Sequence, residues 1–200
     1  MANLILVRHG ESLWNKKGLW TGLTDIGLSP KGKEEARTAG QKLKSFSIDL
    51  AYISVLLRAK QTLDEIKAVL DLHLPTFESA ALNERDYGIF TGKNKWEIQK
   101  EVGDEQFRKI RRGWDVPIEN GESLKNVYNR SVPYYTAEIL PKLKSGNNVL
   151  IVAHGNSLRA LVKYLENLSD NEVENLEIAT GEIYIYNISD KGGIISKEIK

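Results

Sequence analysis

The sequence predicts an α/β fold: a mainly parallel central sheet flanked by helices on both faces, a three-layer sandwich with a C-terminal β-hairpin. Strand-like and helix-like segments alternate along the chain with short connections. Two apolar runs, Leu4 to Val7 and Val149 to Ala153, are continuous rather than alternating, the pattern of strands covered on both faces. Both run directly into His-Gly, at Arg8-His9-Gly10-Glu11-Ser12 and at His154-Gly155-Asn156-Ser157. Open sheets bind ligands beyond the carboxyl ends of their strands, so the two histidines are expected in one crevice.

The elements follow in order. Ser29-Pro30 is an N-cap followed by proline at the first helical position, and Ala36, Ala39, Leu43 and Phe46 recur at helical spacing, predicting a helix from Pro30 to about Lys44. Leu50 to Ile53 reads as a strand, and Leu57 to Leu72 as a helix carrying Leu63, Ile66, Val69 and Leu70 on one face. Ser123 caps a longer helix that continues to Leu143, with Pro133 and Pro141 expected to kink or interrupt it before Gly146. Leu158 to Leu165 is helical, and Ser169 with Glu172 forms a capping box for a short helix. Ile183 to Ile188, the turn Asp190 to Gly193 and Ile194 to Ile199 read as the terminal hairpin. No repeat or low-complexity linker divides the 200 residues, so one domain over 1–200 is expected.

Composition removes several classes of function. Lys+Arg 28 against Asp+Glu 27 leaves a net charge of +1, which favours neither nucleic acid nor an anionic membrane, and points to a small anion held by a local cationic site. With no cysteine there are no disulfides, thiolate nucleophiles or Cys-based zinc sites. No stretch has transmembrane length and Met1-Ala2-Asn3 carries no basic leader, so a cytoplasmic location is expected. Gly88-Ile89-Phe90-Thr91-Gly92-Lys93-Asn94 is one residue short of a P-loop and lacks the hydroxyl after lysine. His73, before a proline and without a partner motif, reads as structural.

The chemistry begins with His9. A neutral imidazole can attack phosphorus and split one transfer into two. Arg8, Arg58 and a nearby His154 would disfavour the imidazolium and neutralise a bound phosphoryl group, which planar guanidinium groups hold bidentately. Gly10 and Gly155 would bring backbone N–H groups close to the anion, and the helix starting near Ser157 would point its positive end there. No metal is required. Arg-His-Gly alone is commonplace; its pairing with a second His-Gly and with Arg58 is the specific signal. Read by type alone, Glu84 is a surface partner of Arg85, and Arg111-Arg112 a solvated helix end.

Beyond these residues, Leu6 to Ser12, Trp14-Asn15, Thr21-Gly22, Leu82-Asn83-Glu84-Arg85, Tyr87-Gly88, Lys95, Arg111-Arg112 and Ala153 to Arg159 together resemble the cofactor-dependent phosphoglycerate mutases of the histidine phosphatase superfamily. The resemblance runs in order from Leu4 to about Gly181. It implies interconversion of 3-phosphoglycerate and 2-phosphoglycerate, in glycolysis and gluconeogenesis, through a phosphohistidine primed by 2,3-bisphosphoglycerate. His9 would be the nucleophile, Arg8, Arg58, Asn15 and His154 the grip on the phosphoryl group, with contacts from Gly155 and Asn156. Glu84 would be the general acid and base. Lys95, Arg111 and Arg112, with Tyr87, Thr21 and Gly22, would hold the carboxylate and second oxyanion of a small phosphorylated acid. Gly113 to Gly121 directly bridges a place where longer mutases carry an extra segment, so the chain resembles their short class and a monomer or homodimer is expected. Asp86 adds a carboxylate next to Glu84. The alternatives are a phosphomonoesterase with the same first contacts and a looser pocket, and a non-catalytic phosphometabolite-binding protein, which would be expected to lack His9 or Glu84.

Overall fold

Six strands form one sheet in the computed structural model, which describes residues 1–200: β1 (Ala2–Arg8), β2 (Leu50–Ile53), β3 (Thr76–Glu78), β4 (Val149–Ala153), β5 (Ile183–Ile188) and β6 (Ile194–Ile199). Their order is β3-β2-β4-β1-β5-β6. β1, β2, β3 and β4 run parallel, while β5 lies antiparallel on β1 and β6 antiparallel on β5. The expected sheet and terminal hairpin are both present. β6 ends the sheet with its residues exposed, and Gly192, at φ 89°, supplies the left-handed turn that reverses the hairpin.

The helices are α1 (Leu13–Lys16), α2 (Pro30–Lys42), α3 (Leu57–Leu70), α4 (Lys95–Val102), α5 (Asp104–Arg112), α6 (Leu124–Tyr134), α7 (Leu140–Lys144), α8 (Gly155–Glu166) and α9 (Asp170–Asn175). Strand alternation divides them into layers. Ile5, Val7, Ala51, Ile53, Leu150 and Val152 point to one face and pack on Ala39 and Leu43 of the α2 side and Leu63 and Ile66 of α3. Leu4, Leu6, Tyr52, Val149 and Ile151 point to the other, against Val132, Tyr135, Ile139, Leu158 and Leu161. A third apolar cluster, Trp20, Tyr87, Ile98, Phe107, Ile110 and Ile118, lies outside the sandwich and supports α4 and α5. No helix is long and apolar enough to cross a membrane.

The element ends depart from the sequence reading for local reasons. α3 stops at Leu70 rather than Leu72 because Asp71 takes the left-handed conformation at φ 53°. α8 begins at Gly155, three residues before its apolar stripe, with His154 as N-cap and Ser157 completing the capping box. Pro133 does not break its helix. The chain stays helical from Leu124 to Lys144 by placing a π turn, Tyr135–Ile139, between the two prolines. β3, α1 and the α4–α5 pair were not anticipated: each is short, and the last two helices carry few apolar residues.

One close approach ties the first loop to the sandwich. The backbone after His9 crosses the first turn of α2 so tightly that a Cβ on Gly10 would lie 2.1 Å from the Gly32 carbonyl oxygen, and a Cβ on Gly32 would lie 2.0 Å from that of Glu11. Glycine in an exposed helix normally gains about 0.5–1 kcal/mol on replacement by alanine. Here Gly32→Ala is expected to lose about 1–3 kcal/mol instead, because backbone must move. Urea unfolding checks the sign; a stabilised variant would contradict the crossing.

Candidate active site

β1 and β4 are parallel neighbours in register, Arg8 opposite Ala153, and His9 N–H donates to the Ala153 carbonyl oxygen at 3.0 Å. The next residues are the two histidines, whose rings stand 4.8 Å apart between centroids at 59°. Both are buried. The crevice expected at the strand ends is therefore formed.

Each ring has its proton placed by its partners. His9 Nδ1 lies 2.6 Å from the Gly10 carbonyl oxygen, which can only accept, so Nδ1 carries the hydrogen and Nε2 keeps a lone pair. Burial, then Arg58 and Arg8, push the His9 pKa well below its ordinary value, so the neutral ring dominates at neutral pH. His154 Nδ1 accepts from Arg58 Nε at 3.2 Å, and its Nε2–H donates to Ser54 Oγ at 2.7 Å. Ser54 Oγ in turn donates to Asn83 Oδ1 at 2.8 Å.

The cavity above His9 is lined by Arg8, Arg58, Asn15, Thr21 and Gly22, by Glu84, Tyr87 and Lys95, and by Arg111, Arg112, Gly155 and Asn156. All these expected site residues come together. His154, named with them, is buried beside His9 with both ring nitrogens engaged, Nδ1 by Arg58 Nε and Nε2 by Ser54 Oγ, and is not among the residues lining the cavity. Gly10 offers no amide to an anion either, since its N–H donates to Thr62 Oγ1 at 3.1 Å. Its lack of a side chain answers the crossing with Gly32.

Arg58, in the first turn of α3, spends Nη1 on the Thr24 carbonyl and Nη2 on that of Gly22, at 3.0 and 2.9 Å. Arg8 Nη1 donates to the Ile178 carbonyl, while its buried Nε has no partner. Asn15 turns its Oδ1 to the Ser12 N–H in a capping box, which leaves its amide hydrogens for the cavity. Burial, Arg111 and Arg8 lower the Lys95 pKa to about 8, and burial brings Arg58 to about 10.

Glu84 is buried, not a surface partner of Arg85. Its Oε1 accepts the Arg85 N–H at 2.8 Å, Asn156 Nδ2 at 2.9 Å and the Asn156 N–H at 3.2 Å. With Oε1 filled by three donors, a proton on this carboxyl sits on Oε2. Arg130 holds the Glu84 loop from α6, donating to the carbonyls of Ala81, Asn83 and Glu84 and pairing with Glu122. Arg85 turns away to the carbonyls of Ile110 and Arg111, at 2.9 and 3.2 Å, and so fixes the end of α5 that carries Arg111 and Arg112. Asp86 also turns away: its Oδ1 accepts the Gly88 N–H at 2.9 Å.

Sequence reasoning missed Arg159, Trp20, Glu177 and Ile178 in the cavity wall. Arg159 lies one helical turn after Asn156 and donates to its Oδ1 at 2.9 Å, a spacing that could have found it. The Ile178 carbonyl accepts from Arg8 Nη1 and Glu177 sits in an irregular loop, so neither had a pattern.

His9, Glu84 and His154 bring ligand atoms within 4.8 Å of one another. The lone pairs of His154 and of Glu84 Oε1 are already committed, and Arg8 and Arg58 face the same space, so this donor set suits an anion rather than a metal ion.

A family model described as the histidine phosphatase superfamily, branch 1, matches residues 4–198. A 2,3-bisphosphoglycerate-dependent phosphoglycerate mutase of Parvibaculum lavamentivorans is 48% identical over 199 residues, covering 98% of this chain and 95% of that protein. One of Chelativorans sp. is 49% identical, covering 98% and 97%. The chain belongs to the histidine phosphatase superfamily, in its phosphoglycerate mutase family. The solved structure of a mycobacterial glucosyl-3-phosphoglycerate phosphatase with VO3 shares the fold of this superfamily member at TM-score 0.85 and 22% identity, covering 100% of this chain and 98% of that one.

The cationic wall makes a pH prediction. Above about pH 8 the free site of this superfamily member loses the Lys95 charge, so sulfate, which does not titrate in that range, is expected to bind more weakly as pH rises through 8. Calorimetry on the native chain and Lys95→Met checks it; a pH dependence retained in Lys95→Met would assign the loss to another group.

Proposed function

We propose that the chain interconverts 3-phosphoglycerate and 2-phosphoglycerate through a phosphohistidine on His9, as a cytoplasmic enzyme of glycolysis and gluconeogenesis. The observation that carries this is a second cationic group, Lys95, Arg111 and Arg112, in the same cavity as His9, Arg8 and Arg58, with Glu84 among them. A plain phosphomonoesterase needs only the first group.

The phosphoryl group on His9 passes to the free hydroxyl of 3-phosphoglycerate, the N–P bond breaking as the ester O–P bond forms while Glu84 takes the hydroxyl's proton. His9 Nε2 then attacks the other phosphorus, the N–P bond forming as that ester O–P bond breaks, and Glu84 Oε2 gives the proton to the departing hydroxyl. Arg8 and Arg58 carry the charge that spreads over the equatorial oxygens, with the first turn of α8 at Gly155 and Asn156 adding its positive end. Lys95, Arg111 and Arg112 keep the carboxylate fixed while the bisphosphorylated intermediate turns to present its other phosphoryl group. Tyr87, Thr21 and Gly22 wall the cavity. The excess of six cationic side chains over two carboxylates, with the unpartnered Arg8 Nε, fits 2,3-bisphosphoglycerate. When bound, that compound supplies the phosphoryl group that loads His9.

Phosphorus NMR with 3-phosphoglycerate, a trace of 2,3-bisphosphoglycerate and EDTA tests the proposal. 2-Phosphoglycerate with little inorganic phosphate is expected, His9→Ala is expected to be inactive, and Glu84→Gln to lose about 10²–10⁴-fold in kcat. Inorganic phosphate as the main product would instead establish the phosphomonoesterase.

A further inference from the structure

We propose that Glu177 is an internal anion which occupies the distal cationic subsite and competes there with the second anionic group of a ligand. The inference rests on reading Arg111 and Arg112 as the subsite for the carboxylate end of the substrate.

Glu177 lies in the irregular segment between α9 and β5 and lines the cavity. Its Oε1 is 2.6 Å from Arg112 Nη2 and 3.7 Å from Arg111 Nη2. A carboxylate therefore already stands on the two guanidinium groups that would take a carboxylate from a ligand. Partial burial raises its pKa, but the Arg112 hydrogen bond and the charges of Arg112 and Arg111 outweigh this and hold it below the ordinary value, so the group is ionised at neutral pH.

The side chain can leave without dismantling what it touches. It is 63% exposed, so water receives it readily. Arg112 keeps an anchor, because its Nη1 donates to the Leu176 carbonyl at 3.3 Å and its own carbonyl accepts Arg159 Nη2 at 2.9 Å. The backbone on the other side is held as well, by Arg8 Nη1 on the Ile178 carbonyl. These anchors use main-chain atoms, which the departure of a side chain leaves in place.

An incoming carboxylate or phosphate exchanges with Glu177, one anion for another. A phosphate ester with an uncharged tail has nothing to offer Arg112, so Glu177 stays and narrows the cavity. Glu177 thus lowers affinity for a ligand whose second anion needs the subsite and leaves unchanged the affinity for one that does not reach it.

Calorimetry with unphosphorylated enzyme reads this without turnover, using 3-phosphoglycerate and phenylphosphonate as probes. Glu177→Gln and Glu177→Ala are each expected to bind 3-phosphoglycerate about two- to fivefold more tightly, the range of a partly exposed ion pair, and phenylphosphonate with unchanged affinity. Weaker or unchanged binding of 3-phosphoglycerate would overturn the proposal and make Glu177 a support for Arg112. Equal tightening of both probes would also overturn it, as a general field effect. Conversion of 3-phosphoglycerate by the native chain reports separately on the mutase reading.

Discussion

The hydrogen bond from His9 Nδ1 to the Gly10 carbonyl oxygen, at 2.6 Å, is the constraint on which the site depends. A histidine is a nucleophile only from an unprotonated nitrogen, and two forces select which one is free. The carbonyl accepts and so keeps the hydrogen on Nδ1. Burial and the charges of Arg58 and Arg8 make a second proton costly. The cations that would bind a phosphoryl group are thus the ones that keep the base able to attack it.

The fold supplies this by register and by layering. Parallel pairing of β1 with β4 brings two His-Gly turns to the same edge, and Arg58 reaches that edge from the first turn of α3. A line of committed hydrogen bonds runs from Arg58 through His154 and Ser54 to Asn83, beside Glu84 in sequence. It links the nucleophile's surroundings to the loop that carries the acid. The lobe of α4 and α5, supported by Trp20 and Phe107, brings the second set of cations over the first.

Much of the sandwich was legible because long apolar runs have one stable solution. The second strand, Leu50–Ile53, and the hairpin strands match their sequence boundaries. β3 was not legible: three residues at a sheet edge, Thr76–Glu78, carry no periodicity. The α4–α5 lobe was hidden for a related reason, since its helices bury only Ile98, Phe107 and Ile110. At the site, residue type alone could not separate Glu84 from a surface glutamate, because its burial comes from Arg130 and Asn156, far away in sequence. The grip of His154 on the phosphoryl group is what the family resemblance implies; the claim of Arg58 and Ser54 on its two ring nitrogens is displayed by no linear pattern.

The state of His9 is the central claim, and nitrogen-15 NMR of histidine-labelled protein measures it directly. Across pH 6 to 8 the His9 ring is expected to remain neutral with its hydrogen on Nδ1, and phosphorylation to shift Nε2. A ring protonated at neutral pH, or one with its hydrogen on Nε2, would contradict the account.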